Sequence, residues 1–585
     1  MNRGTARRVL PGFGLGLGST IACLGLLVLI PLMAAIWQAS GLGWARFWEV
    51  VGTDQAMAAY RLTFFSSLQA ALINLMLGLV VAWTLVRYEF PGKRLLDALV
   101  DVPFALPTAV AGLVYAALYA ANGPIGQWLA PLGLTVSYAK PGIVLVLVFT
   151  GFPFVVRTVQ PVLEDLDGET EQAAATLGAS QWQTFRWVIF PILVPPALTG
   201  LTLAFARAVG EYGSVIFIST NKPFESEIAP LLIFARLEAY EYREAAAIAC
   251  VLLAASLTLL LGVNILERWT QPGAAPKPIK ALFRLIRVIV SKPIMAILPD
   301  RPPPSFGAIA PVSGIARAAP SLLVGLTWMI LGTLVIVPVV AIFSLAFRSG
   351  IGHYVSSLIH DADTRHAIML SFIVAPLAVA INTVFGVAAA YTIARFQFPG
   401  RALLTALIDL PFSVSPVVAG LVFVLLFGAQ SSLGQWLTAH GFRIIFAPPG
   451  LVLATAFVTF PFIARELIPV LEAQGPDEEI AARSLGANGW QMFWRVTMPN
   501  IQWGLLYGVI LCHARALGEF GAIAVVSGRV TGRTDTMPLR VEKLIQDYDQ
   551  PAAFALASVL TMLALVTLVL KVAVERKLRG PGKSP

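Results

Sequence analysis

"RYEFPGKRLLDALVDVPF", residues 87–104, returns as "RFQFPGRALLTALIDLPF" at residues 395–412, an offset of 308 positions. Outward from this stretch the offset does not drift. "GQWL" at Gly126 falls on "GQWL" at Gly434, "FPF" at Phe152 on "FPF" at Phe460, "RAVGEYG" at Arg207 on "RALGEFG" at Arg515, and Tyr240 on Tyr548. A constant register over this distance means no net insertion, so the chain is one module written twice.

Composition fixes the solvent. With 57% hydrophobic residues, 12% charged and a mean hydropathy of +0.78 over 585 residues, the chain cannot dress itself in a polar skin. Apolar runs long enough to cross roughly 30 Å of hydrocarbon occur near residues 14–37, 62–86, 98–120, 142–161, 194–219 and 245–266. Six more lie near 321–347, 367–393, 406–428, 450–470, 502–527 and 552–574. No ten-residue stretches of alternating polarity suggest a membrane barrel. The expected fold is therefore all-α and integral to the membrane: two tandem six-helix modules, about 12 transmembrane helices. Six is an even number, so both modules enter from one side and are related by a pseudo-two-fold axis along the membrane normal. Residues 1–268 form the first module, 269–320 a linker and 321–585 the second module.

Charge orients the spans. Arg3, Arg7 and Arg8 precede the first, Arg87, Lys93 and Arg94 follow the second, Arg395 and Arg401 follow the eighth, and Arg576, Lys577, Arg579 and Lys583 end the chain. The positive-inside rule places all of these, and both termini, in the cytoplasm. The loop 221–244, with Glu225, Glu227, Glu238, Glu241 and Glu244, falls outside. The net charge of +9 thus reflects topology, and no nucleic-acid partner is expected. The first apolar run is too long for a secretory signal core and reads as an anchor. Cys23, Cys250 and Cys512 all fall within spans, where packing is the expected role. In the linker, "IKALFRLIRVIV" puts Lys280, Arg284 and Arg287 on one side of a helix, suited either to the membrane surface or to a solvated tether.

Between the fourth and fifth spans of each module stands an amphipathic stretch at odds with its oily surroundings. "EQAAATLGASQWQTFRWVIFP" runs from Glu171 to Pro191 and "EEIAARSLGANGWQMFWRVTMP" from Glu478 to Pro499. Small residues at Ala173, Ala174 and Ala175 give a surface that another protein can approach closely, and Gly178 ends the helix. Ala481, Ala482 and Gly486 repeat the pattern. Two such knobs suit a two-fold symmetric cytoplasmic partner.

These stretches resemble the signature of ABC importer permeases: Glu-Ala-Ala, three residues, Gly, nine residues, Ile-x-Leu-Pro. "QAAATLG" with "VIFP" and "IAARSLG" with "VTMP" match its spacing, although Gln172 and Ile480 occupy the glutamate position and Glu171 and Glu479 stand one place earlier. The resemblance implies a coupling helix that docks into an ATP-binding subunit. It assigns the coupling to Glu171, Ala173, Ala174 and Gly178, and to Glu479, Ala481, Ala482 and Gly486. The first module is further similar to the T-type subunit of sulfate/thiosulfate permeases, in "RAVGEYGSVIFIS" and "SEIAPLLIFARLEAYEY". The second is similar to the W-type subunit, in "RALGEFGAIAVVSG" and "GRTDTMPLRVEKL". Together they imply a fused permease of a bacterial cytoplasmic-membrane ABC importer, with two copies of a separate ATPase inside and an extracytoplasmic sulfate-binding protein outside. ATP-Mg is then expected on the ATPase, with no cofactor bound by this chain. Molybdate and tungstate permeases share part of the signature, and "TDTMPLRVE" favours sulfate.

Arg207 and Glu211, like Arg515 and Glu519, are four apart in a span. Charges there face a cavity or one another, so each arginine either offers an anion a transient site or pairs with its own glutamate. The third spans are interrupted at Pro103 and Pro107 and at Pro411 and Pro416, which either kinks them for packing or opens backbone to a cavity. There Thr108, Ser413 and Ser415 could donate to an oxyanion. Asp101 and Asp409 are expected to pair with loop arginines. "GKS" at Gly582 has Lys577 where a phosphate loop needs glycine, and His353, His360, His366, His440 and His513 show no metal-ligand spacing. A catalytic constellation is not apparent. The rival class, an ion-gradient-driven transporter of two six-span repeats, has no use for paired docking helices.

Overall fold

Thr53 starts the longest helix of the first module by accepting a hydrogen bond from the Ala56 amide at 3.3 Å, and Asp54 and Arg87 complement the dipole at its two ends. The computed structural model, which describes residues 10–166, 168–270 and 314–578, repeats this helix in the second module. Asp54–Arg87 and Ala362–Arg395 each have 34 residues. At ~1.5 Å per residue they are ~50 Å long, well beyond the hydrocarbon thickness. Their polarity is inverted relative to a water-soluble helix. Phe65, Met76, Met369 and Val384 are exposed, whereas Ser66, Ser67, Asn74 and Asn382 are buried. Lipid offers no hydrophobic drive between helices, so close backbone approach and polar contacts hold them. A Cβ at Gly78 would stand 2.7 Å from Val155, and one at Gly386 would stand 2.7 Å from Ile463, its register partner.

Among the described residues there is no strand. Eight helices are long and apolar enough to cross a membrane, and up to ten spans result when two bent pairs are counted. The other two expected spans are the helices Tyr242–Thr270 and Met498–Leu517. Their partners 308 positions away belong to the eight. The bent pairs are the proline-interrupted third spans: Lys93–Ala105 turns by 106° into Thr108–Tyr119, and Arg401–Ser413 by 102° into Pro416–Phe427. The first pair still connects the two faces. Asp97 and Asp101 at its start bond Arg157 near the end of helix Lys140–Glu164, while Ser137, just before that helix begins, donates to the Ala116 carbonyl at 2.8 Å. The fifth spans end earlier than the sequence suggests. They end at Val209 and Leu517, where Gly210 and Gly518 stop them, and short helices Val215–Ile218 and Gly521–Val526 follow.

The two modules meet around the expected pseudo-two-fold axis. Tyr212 and Phe520, register partners, stack on one another with centroids 5.8 Å apart and planes inclined by 13°. Beside them Gly210 lies against Ser415 and Gly518 against Pro107, each leaving only 3.1 Å for a Cβ. Reciprocal contacts of this kind define an isologous interface. The first span of each module also crosses to the other. Gly16 abuts Thr392, and Gly92 abuts Trp328. The two sequence repeats are thus not separately packed bodies. The linker segment with Lys280, Arg284 and Arg287, most of residues 269–320, the N-terminal Arg3, Arg7 and Arg8, and Arg579 and Lys583 lie outside the described residues.

Candidate functional site

Two structural units carry the chemistry suggested by the sequence: a pair of exposed loops on one face and a cavity between the modules.

Each loop is built alike. Helices Gly168–Thr176 and Asp477–Ser484 stop where Gly178 (φ 83°) and Gly486 (φ 89°) turn left-handed, a conformation that favours glycine. Ser180 and Asn488 then open the following helix, each with a capping box completed by Gln183 or Gln491. Ala173 and Ala481 are exposed, and Ala174 and Ala482 half-buried. Glu171 and Glu479 point inward instead. Glu171 pairs with Arg87. Glu479 pairs with Arg395 at 2.8 Å, both side chains being 3% exposed, and it also accepts from Thr497 Oγ1 at 2.9 Å. The acid one place before the family position therefore pins the loop to the end of the second span. The most prominent apolar groups, Leu177 and Leu485, are 88% and 89% exposed. Sequence reasoning passed them over because a leucine beside alanines in an amphipathic helix reads as its buried face.

The cavity, of about 1590 Å³, is lined by both modules. It runs from exposed Glu89 and Arg94, on the side bearing the loops, up to Arg207 and Arg515. Thr108, Pro103, Pro411 and Pro416 also line it, whereas Ser413, Ser415, Glu211 and Glu519 do not contribute to its wall. Arg207 sits in the last turn of its helix and Glu211 beyond the end, so the two do not share one helical face, yet they pair at 2.8 Å. Arg515 and Glu519 do the same at 2.8 Å. Both glutamates are buried, with second oxygens held by the amides of Ser214 and Ala522. Each arginine thus has its glutamate behind it and the cavity before it. Ser415 Oγ donates to the Gly210 carbonyl at 3.0 Å, a contact between modules.

Asp101 corrects one expectation. Its partners come from spans: Arg157 at 2.7 Å and Lys571, of the last helix, at 2.5 Å. Asp409 likewise faces Arg465, at 3.3 Å. Asp101 and Lys571, 7% and 8% exposed, both line the cavity. The signal was legible, since Arg157 and Arg465 recur at 308 positions inside fourth spans. Lys571 had none, because Val263 stands at its register position.

The family described as the binding-protein-dependent transport system inner membrane component matches residues 74–275 and again residues 382–580. The chain belongs to this family. Two tandem matches agree with the duplication. Members similar to it include the sulfate transport system permease protein CysT of Escherichia coli K12, 50% identical over 45% of this chain and 95% of that protein. CysW of Synechocystis sp. PCC 6803 is 51% identical over 44% of this chain and 92% of its own. CysW of Escherichia coli K12 is 49% identical over 45% and 89%. Similarity to both kinds of sulfate permease, each about half as long as this chain, is what a fusion of T-type and W-type family members carries. A solved bacterial alginate ABC transporter, in complex with an alginate pentasaccharide-bound periplasmic protein, aligns at 17% identity over 46% of this chain and 98% of its own, with a TM-score of 0.39. The chain is a multi-pass membrane protein and a transport subunit of this family.

Proposed function

We propose that this chain is a fused permease subunit of an ATP-driven importer that carries sulfate or thiosulfate into the bacterial cytoplasm. The observation that carries the reading is the near-50% identity to both CysT and CysW, joined to two equivalent exposed loops in one chain. Each loop receives one copy of a separate ATPase, which binds ATP-Mg. The chain itself catalyses nothing and holds no cofactor. Ala173, Ala174, Ala481 and Ala482 give the close approach, Gly178 and Gly486 set the turn, and Glu171 and Glu479 transmit movement of the loop to the second span through Arg87 and Arg395. An extracytoplasmic sulfate-binding protein delivers the anion to the opposite face, and both termini lie in the cytoplasm of this inner-membrane protein.

The path follows from the charges. Arg207 and Arg515, each with its glutamate behind it, meet the dianion at the blind end of the cavity, with Thr108 beside them as a hydroxyl donor. Backing each cation with an acid keeps the net local charge low, so the anion is held weakly enough to leave. In this reading Tyr212 and Phe520, stacked just past the ends of the two fifth spans, are the closure beyond the arginines.

Uptake of labelled sulfate into proteoliposomes holding this chain, its ATPase and its binding protein, with ATP supplied to the ATPase face, tests the reading. ATP-dependent uptake competed by thiosulfate and little by molybdate is expected. Uptake without ATP overturns the importer, and uptake of molybdate or tungstate alone changes its cargo.

A further inference from the structure

Seven non-glycine residues among those described have a positive φ, and five are aromatic: Tyr138, Phe224, Tyr240, Phe446 and Tyr548. A left-handed backbone costs an L-residue roughly 1–2 kcal/mol. Tyr240 and Tyr548 are register partners, with φ 61° and 63°. Each closes a short helix in the manner usually given to glycine. The Tyr240 amide donates to the Leu237 carbonyl and the Glu241 amide to that of Arg236, while Tyr548 donates to Ile545 and Asp549 to Leu544. Burial does not offset the strain, because the two residues are 77% and 92% exposed. Strain kept at matching exposed places, where Tyr240 meets the Tyr242 ring edge-on at 6.2 Å, points to a function at the surface.

Both turns lie on the face opposite the coupling loops. Arg236 bonds Gln55 at the start of helix Asp54–Arg87, whose other end pairs with Glu171. Arg540 bonds Asp361 at the start of helix Ala362–Arg395, whose other end pairs with Glu479. The tyrosines therefore stand ~50 Å from the loops. Acids stand close in sequence to both: exposed Glu238, which pairs with Arg529 at 3.8 Å, lies two residues before Tyr240, and exposed Asp547 and half-buried Asp549 adjoin Tyr548. The acids adjoining Tyr548 repel an anionic lipid surface and complement a basic protein rim.

We infer that Tyr240 and Tyr548 are paired anchors for the solute-binding protein, each ring entering an apolar socket edged by Lys or Arg on its surface. The inference rests on the importer reading above. Exposed rings with two rotatable bonds bury much area at little entropic cost, the usual property of an interface hot spot.

The test replaces both residues with glycine, which adopts these φ values freely. For Y240G/Y548G in nanodiscs, affinity for the sulfate-loaded binding protein is expected to fall about 30-fold or more, while the Tm holds or rises. Y240F/Y548F is expected to bind nearly as the unmodified chain does. Unchanged affinity of the glycine variant overturns the inference. Unchanged affinity with a Tm lowered in liposomes but not in detergent overturns it in favour of a headgroup anchor. Failure of the unmodified chain to bind that protein is a separate result, and it overturns the importer reading itself.

Discussion

Lys571 reaches across from the second module to Asp101 of the first, Nζ to Oδ2 2.5 Å, in a pair that the first module does not reciprocate because Val263 holds the matching place. Asp101 also holds Arg157. Removing the acid leaves buried Lys571 without its carboxylate while Arg157 keeps Asp97 at 2.7 Å, whereas removing Lys571 leaves Asp101 still paired with Arg157. Breaking a buried pair costs roughly 3–5 kcal/mol. D101N is therefore expected to lower the Tm of the purified chain more than K571M does, and D101N/K571M to lose less than the sum of the two. Additive losses refute the coupling.

The two loop pins differ in depth. The Arg395–Glu479 side chains are each 3% exposed, against 23% and 28% for Arg87 and Glu171. E479Q is expected to cost about 3 kcal/mol and to speed hydrogen exchange across residues 477–484, while E171Q costs at most about 1 kcal/mol. Equal effects in both loops count against this account.

Leu177 and Leu485 touch little of their own chain, so L177S and L485S are expected to shift stability by less than about 0.5 kcal/mol. Co-purification with the ATPase subunit should fall for each and be lost in the double variant. Retention by the double variant removes these leucines from the docking surface.

Gly78 and Gly386 let the second and fourth spans touch. A methyl group at either position would lie 2.7 Å from Val155 or Ile463. G78A and G386A are each expected to cost about 1–3 kcal/mol through overpacking, read as Tm in detergent. A neutral G78A means that the helices part without penalty.

At the end of the cavity, R207M is expected to reduce sulfate uptake at least tenfold, about 1.4 kcal/mol, and R207K to restore part of it. A variant R207M that transports normally confines Arg207 to helix packing with Glu211.

Much of this was present in the chain as text. The repeat at 308 positions dictated two copies of one helical unit, and apolar runs of membrane length dictated the solvent, because both properties are local and additive along the sequence. The loops were visible for the same reason: an amphipathic helix, a glycine and a proline at fixed spacing need no tertiary information. Span ends were less legible. Gly210 and Gly518 halt helices, yet apolar runs resume at Val215–Ile218 and Gly521–Val526, and hydropathy does not register backbone termination.

What the sequence by itself determined is the fold class, the duplication and the two exposed loops. Tertiary structure alone decided which charges meet. Only packing brings Lys571, 470 residues away, within hydrogen-bonding distance of Asp101. It also decided that the first span of each repeat crosses to the other, and that Tyr212 and Phe520 stack on the axis between them. Such choices depend on shape between distant segments, where a small residue such as Gly16 or Gly92 admits a neighbour, and that complementarity exists only once both surfaces have formed.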